Sequence, residues 1–292
     1  MRTSLPASGL LLFACISAFL PRLALSGPVP KGYALVWSDE FDKDGPPDPT
    51  KWVAQTGFLR NEEAQWYQAE NAFCRDGLLV IEARKERKPN PNHERGSDDW
   101  RRNRPMIEYT SACLVTQGLH SWRYGRFEVR ARIVAEEGLW PAIWFLGVEG
   151  KWPQRGEIDL MEYYGGNILA NACWKGVGKG AKWDASKTPV ADLGGAGWAE
   201  QFHVWRMEWD ERVIALCLDV RLLNTIELDR TINPEGVAPR NPFHQPHYLL
   251  LNLALGGTNG GNLTRTRLPS RYEIDYVRIF QRTPEVPKDN RQ

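Results

Sequence analysis

The chain has almost no excess of either charge: 37 lysines and arginines stand against 36 aspartates and glutamates over 292 residues. It therefore lacks the basic field that general polyanion binding needs, and nucleic acid is not an expected partner. Cysteine is scarce, at five residues, and none forms a Cys-x-x-Cys pair, so the spacing of a zinc site is missing. There is no internal repeat and no long stretch of helical periodicity, which argues against solenoids and helix bundles. The long apolar run near the N-terminus, GLLLFACISAFL, is too short to span a bilayer comfortably.

That run reads as a secretory signal. Arg2 supplies the positive start, and Ala24-Leu25-Ser26 place small residues at −3 and −1, so cleavage is expected before Gly27. A lipid-anchor reading of Cys15 is disfavoured, because Phe13 fits it poorly and the apolar run continues past the cysteine. Without residues 1–26 the balance becomes 35 basic to 36 acidic residues. The expected product is a secreted or periplasmic monomer with no membrane insertion. Residues 27–34 read as a linker, 35–283 as one domain and 284–292 as a frayed tail. Cys74, Cys113, Cys173 and Cys217 remain. Their even number permits two disulfides, but their apolar, strand-like surroundings favour buried free thiols.

What the chain does have is strand signal and tryptophan. GLLVIEARKE (77–86), YGRFEVRARI (124–133), GLWPAIWFLG (138–147), FHVWRMEWD (202–210), HYLLLNLALGG (247–257) and YEIDYVRIF (272–280) are alternating or β-branched, with Gly and Pro between them. In YGRFEVRARI, Phe127, Val129, Ala131 and Ile133 share one face and charged residues the other, the pattern of a half-buried antiparallel strand. Many such strands in one domain predict an all-β sandwich of two antiparallel sheets. Thirteen tryptophans suit either a large β core or a cleft paved with indoles. Two polar stretches interrupt the strands. Residues 87–106, with Trp100, Arg101, Arg102 and Arg104, read as a solvated loop or as a cleft wall, and residues 175–200, with Trp183 and Trp198, read as a second long loop.

The segment GEIDLMEYYGG (156–166) carries three carboxylates, Glu157, Asp159 and Glu162, inside a strand. Alternation puts Glu157 and Asp159 on one face and would put Met161, not Glu162, beside them. A β-bulge that absorbs one residue brings Glu162 back to the acidic face, and bulges are common beside active sites. Paired carboxyls about 5–5.5 Å apart serve retaining glycoside hydrolysis, one as nucleophile and one as acid/base. Asp159 between them can hydrogen-bond a neighbour and push the local pKa values apart. A solvent-facing acidic edge or a calcium site is the plainer alternative, and the apolar flanks Leu160 and Met161 argue against a solvated edge. In GLWPAIWFLG, Trp140 and Trp144 alternate onto one face, an arrangement suited to stacking on sugars.

Glu157-Ile158-Asp159-Leu160-Met161-Glu162 matches the bulged Glu-x-Asp-x-x-Glu motif, and the chain resembles glycoside hydrolase family 16, in its laminarinase-like branch of endo-β-1,3-glucanases. The likeness runs from VWSDEFD (36–42) to DYVRIFQ (275–281), through RNEEAQWY (60–67), YTSACLVTQG (109–118) and LLLNLALGG (249–257). It implies a β-jelly roll with a concave substrate cleft, and a polysaccharide cleaved by double displacement. Glu157 would be the nucleophile, Glu162 the acid/base and Asp159 the assisting carboxylate. Trp140 and Trp144 would line donor-sugar subsites, and Asn61 and Glu63 would meet sugar hydroxyls. No cofactor is implied for catalysis. A structural calcium is implied at Glu40, Gly77 and Asp275, with a plain surface acid as the alternative for Asp275. Thr258-Asn259-Gly260-Gly261 stands where such enzymes often have Trp, and ACWKG (172–176) replaces a His-containing segment; Trp174 could serve there as an acceptor-side platform or belong to the core. The expected substrate is β-1,3- or mixed β-1,3/1,4-glucan. The alternatives are a marine galactan such as agar, porphyran or carrageenan, for which Arg60 and the Arg101–Arg104 cluster could meet sulfate, and a β-glucan-binding protein without catalysis, which the retained acids disfavour.

Overall fold

A computed structural model describes residues 29–283. The expected signal segment (1–26) and tail (284–292) lie outside the described residues. Two curved sheets stack as a β-jelly roll. The first holds seven strands in the order Lys182–Pro189, Asn167–Trp174, Glu157–Tyr164, Leu139–Gly147, His247–Leu255, Cys113–Val115 and Val53–Ala54. The second holds ten, built around Gly125–Arg132 and Ser270–Arg282. Pairing is antiparallel throughout, except where Gln65–Tyr67 runs parallel to Met106–Ser111. Among the described residues no helix is long and apolar enough to cross a membrane.

Each expected strand forms, and the alternation explains how. Gly125–Arg132 alternates strictly between buried and half-buried positions, with Phe127, Val129 and Ala131 in the core. They meet Ile143, Phe145, Leu249 and Leu251 from the facing sheet. A fully buried side chain of this size contributes about 1.5–3 kcal/mol, and the two inner faces supply dozens. The strand His247–Leu255 is buried at every position, because the core covers one face and the cleft floor the other.

Some boundaries move. The strand Tyr33–Asp39 pairs with Ser270–Arg282, so residues 33 and 34 belong to the sheet and not to a linker. Part of the stretch expected as a loop at 175–200 is an edge strand, Lys182–Pro189. Its exposed, polar composition hides a pairing that only the neighbouring strand supplies. The four described cysteines are buried free thiols, as favoured.

At the residues of the calcium expectation, the two carboxylates are paired with arginines. Asp39 pairs with Val277 and Ile274 with Leu79, so Glu40 and Gly77, at their strand ends, neighbour the stretch of Ser270–Arg282 that carries Asp275. However, both oxygens of Glu40 accept from Arg278, at 2.9 and 2.7 Å, and Asp275 is paired with Arg130. Arginine has already neutralised both carboxylates. Among the described residues no group of three or more His, Cys, Asp or Glu side chains is arranged for a metal. The carboxylates of Glu40 and Asp275 are thus committed to arginine, and no role is derived for a calcium ion.

His247 sits in the interior against Phe243 and Trp209, fully buried. Its Nδ1 donates to the Gln245 carbonyl at 3.1 Å, and Nε2 has no partner. Burial pushes its pKa down to about 3 from an ordinary 6.5. The unfolded chain therefore takes up a proton as pH falls below about 6.5, while the native state does not until near 3. This part of the stability is full above 6.5 and is lost towards pH 3. His247→Phe should flatten the fall in Tm between neutral and acidic pH, whatever it does to Tm at neutrality. An unchanged slope in calorimetry would refute this.

Candidate active site

The outer face of the seven-stranded sheet carries three rows of side chains set by strand register. Tyr248, Leu146, Glu157, Cys173 and Trp183 form one row across five strands. Leu250, Trp144, Asp159, Asn171 and Ala185 form the next, and Asn252, Ala142, Glu162, Leu169 and Lys187 the third. Directly opposed residues point to the same face, so all three acids lie on one surface.

The bulge is present and lies where it was expected. Between Asp159 and Glu162 the strand carries Leu160 and Met161, whereas the neighbouring strand has only Ala170 between their partners, Asn171 and Leu169. On the other side Ile143 alone separates Trp144 from Ala142. Leu160 and Met161 are both fully buried in the core. Two consecutive side chains pointing inward are what return Glu162 to the cleft.

The three carboxylates have different partners. The indole Nε1 of Trp152 donates to Glu157 Oε2 at 2.7 Å. Trp140 Nε1 donates to Glu162 Oε1 at 2.9 Å, and Asn171 Nδ2 reaches Asp159 and Glu162 more weakly, at 3.4 and 3.5 Å. Burial, followed by the charges of Glu162 and Glu157, holds Asp159 well above the usual carboxylate range. Asp159 thus keeps its proton and donates it to Glu157. Burial raises Glu157 as well, opposed by the Trp152 N–H, the Asp159 hydrogen bond and the Arg60 charge. Burial and then the Glu157 charge push Glu162 up to about 7. Neutral donors and the Arg60 charge thus oppose burial at Glu157, whereas at Glu162 burial and the Glu157 charge act together and hold a proton near neutrality.

Around them lies a cleft of about 710 Å³. Asn61 and Glu63 line it as expected, joined by an Asn61 Nδ2 to Glu63 Oε1 bond of 3.3 Å. Trp144 lines it too, with its N–H on Asn252 at 2.7 Å and the Arg60 guanidinium 5.0 Å from its ring. Trp140 borders the cleft but is only 6% exposed, so its main offering is the hydrogen bond to Glu162 rather than a stacking face. Trp174 is not among the lining residues and packs on the core. Alternation explains this: Cys173, opposite Glu157, faces the cleft, so Trp174 faces away. Trp183, opposite Cys173 and 48% exposed, lines the cleft instead.

The sequence reading missed Trp152, Asn171 and Asn252, and left Trp183 in a loop. Asn171 and Asn252 are isolated amides in apolar strands, a signal that period-2 reading could have used. Trp152 sits on the loop before the catalytic strand, where no periodicity marks it. The arginines expected to meet sulfate do not line the cleft, apart from Arg60. Arg101 and Arg104 bond backbone carbonyls, and Arg102 pairs with Glu94. Arg60 spends its donors on Gln55 Oε1 and Cys113 Sγ.

Trp152→Phe removes the N–H from the Glu157 carboxylate while keeping an aromatic ring. Because that donor favours the ionised form, its loss should move the acidic limb of kcat/KM to higher pH. A charge-assisted hydrogen bond is worth about 1.5–3 kcal/mol, so turnover should fall about tenfold or more. An unmoved acidic limb would show that the contact has no electrostatic role.

Three comparisons bear on this site. The family model described as glycosyl hydrolases family 16 matches residues 61–278. A β-glucanase of Rhodothermus marinus is 37% identical over 268 residues, covering 85% of this chain and 85% of its own length. The laminarinase structure from Rhodothermus marinus superposes with a TM-score of 0.68 at 36% identity, covering 86% of this chain and 98% of that one. A structure from work on endo-acting O-glycanases, which prominent members of the human gut microbiota express to initiate mucin breakdown, superposes with a TM-score of 0.79 at 33% identity, covering 87% and 93%. With its bulged acidic strand, its two-sheet jelly roll and these matches, the chain is a glycoside hydrolase and belongs to glycosyl hydrolases family 16.

Proposed function

We propose that this chain is a retaining, endo-acting hydrolase of β-1,3-linked or mixed β-1,3/1,4-glucan, with Glu157 as nucleophile and Glu162 as acid/base. The observation that carries the assignment is the bulge, which sets Glu157 and Glu162 together on one cleft floor, with Glu162 raised to about 7. Glu157 attacks the anomeric carbon as Glu162 gives its proton to the leaving oxygen, and the glycosidic bond breaks. Glu162, now ionised, takes a proton from water, which attacks the same carbon and releases Glu157. Protonated Asp159 holds the nucleophile by its hydrogen bond and adds no third negative charge.

Endo action follows from a cleft that crosses the sheet with aromatic surface on both sides of the acids: Trp144 on one arm, Trp183 on the other. Such faces suit the C–H-rich faces of a neutral glucan. The β-glucanase and laminarinase of Rhodothermus marinus support this substrate class. Action as an exported enzyme completes the reading, on the strength of the signal-like N-terminus.

Cleavage of mucin O-glycans or of a galactan is a second reading, the former favoured by the higher TM-score to the structure from work on endo-acting O-glycanases. A sulfated galactan is a weaker form of it, because the candidate arginines are turned to the backbone.

Digestion of laminarin, lichenan, agarose, porphyran, carrageenan and mucin O-glycans decides between them. New internal reducing ends from laminarin or lichenan are expected; cleavage of O-glycans alone would establish the second reading. Glu157→Gln and Glu162→Gln should each lose several orders of magnitude in turnover while remaining folded. Azide should rescue Glu157→Gly to the α-glycosyl azide and Glu162→Ala to the β-azide. In the wild type, kcat/KM should decline above about pH 7 as Glu162 loses its proton, and Glu162→Gln should abolish that limb on a substrate with an activated leaving group. The opposite azide anomers would exchange the two roles.

A further inference from the structure

The polar stretch at 87–106 is unused by the chemistry, yet it is built rather than loose. The strand Leu78–Pro89 leads in, Met106–Ser111 leads out, and a short helix, Trp100–Asn103, lies between. Asn90 is 5% exposed, and its amide donates to the carbonyls of Arg101 and Arg104 at 3.0 and 2.8 Å. The Glu94 N–H bonds the Arg102 carbonyl at 2.8 Å, closing the segment on itself. Trp100 packs on the cluster of Phe58, Trp66 and Ile107.

Two of its arginines, Arg101 and Arg104, point at one target. Arg104 lies over the rings of both Phe58 and Trp100, 4.8 Å from each centroid. From there Nη1 donates to the Glu63 carbonyl at 2.7 Å and Nη2 to the Glu62 carbonyl at 3.0 Å. Arg101 donates to the Leu59 carbonyl through Nε and Nη2, at 3.2 and 3.0 Å. The loop so gripped, residues 59–63, is the one that sends Arg60, Asn61 and Glu63 into the cleft.

That loop needs holding. Asn61 and Glu62 have φ of 55° and 51°, two consecutive non-glycine residues in the left-handed region. On its other side, the Thr258 N–H bonds the Asn61 carbonyl at 2.9 Å. Gly257 lies so close that an added Cβ would stand 2.6 Å from that same oxygen. The loop is therefore clamped between a glycine turn and an arginine pair. It lies beside the end of the His247–Leu255 strand, to which Ala64 bonds through Leu255. That is two strand spacings, about 10 Å, from the acids.

We propose that the 90–105 segment is a specificity element, in which Arg104 is a positioning residue that fixes Asn61 and Glu63 for the hydroxyls of a sugar remote from the cleaved bond. This rests on the reading that Asn61 and Glu63 contact substrate. The guanidinium suits the task because its planar fork spans two adjacent carbonyls, which a single ammonium does not. A loop held this way contributes binding to long chains and nothing to substrates too short to reach it.

The test uses the full chain and a ladder of β-1,3-gluco-oligosaccharides, from the disaccharide upward, with an activated aryl glycoside as the short extreme. Arg104→Ala should raise KM about tenfold on the long members with little change in kcat, and leave the aryl glycoside unaffected. Arg104→Lys should recover only part of the loss. Asn61→Ala should raise KM on the same long members, and the double variant should lose no more than the worse single one. Equal losses at every length, unchanged KM on the long members, or additive losses would overturn the proposal. Amide hydrogen exchange at residues 59–63, compared between wild type and Arg104→Ala, supplies a readout independent of turnover. Faster exchange is expected in the variant, and identical exchange would overturn the positioning role. If the wild type cuts none of these glucans, the substrate reading fails while the exchange result still decides the clamp.

Discussion

The site depends on one extra residue in one strand. Without the bulge at Leu160 and Met161, Glu162 would point between the sheets, into a core lined by Phe145, Ile158 and Leu251. An unpaired carboxylate there would be costly, and the acid would be lost to the cleft. The bulge instead spends two apolar side chains on the interior and keeps all three acids outside. Packing enforces the geometry, because Leu160 and Met161 are both fully buried and neither can be turned outward without opening the core.

The donors that touch the acids are neutral: two indoles and one amide. The Arg60 guanidinium acts on Glu157 only through its charge. With no cation bonded to them, the carboxylates are governed by burial and mutual repulsion, so they cannot all ionise together. Asp159, the most deeply buried, keeps its proton, and Glu162 is raised to about 7. A lysine or arginine bonded directly in this cluster would favour the charged form of every acid and erase the difference between them.

Tryptophan divides between structure and site. Trp52, Trp66, Trp122, Trp205 and Trp209 are buried, whereas Trp152 and Trp183 are about half exposed and line the cleft. The arginines divide in a similar way. Arg101 and Arg104 of the 87–106 segment face the backbone of the neighbouring loop, Arg102 pairs with Glu94, and Arg60 lies beneath Trp144 with its donors spent on protein atoms. Neither Arg60 nor the Arg101–Arg104 cluster offers a free guanidinium to a sulfated chain, and Lys187 is the remaining basic side chain among the described residues that line the cleft.

The fold class, the six long strands and the acidic face were legible in the chain itself, because alternation is a local property and the step from Asp159 to Glu162 announces its own irregularity. Other features required partners distant in sequence. Trp183 and Trp174 could not be ranked until strand pairing showed that Cys173 faces the acids and Trp174 therefore does not. Glu40 and Asp275 read as metal ligands by position, yet arginines far away in the chain neutralise them in space. Trp152 reaches Glu157 from a loop, and Arg104 reaches the Asn61 loop from an insertion, neither with any periodicity to mark it. The sequence alone determined which residues alternate and where alternation breaks. The tertiary structure decided which donors meet which acids and carbonyls, because those contacts depend on register and loop closure between segments that the linear order keeps apart.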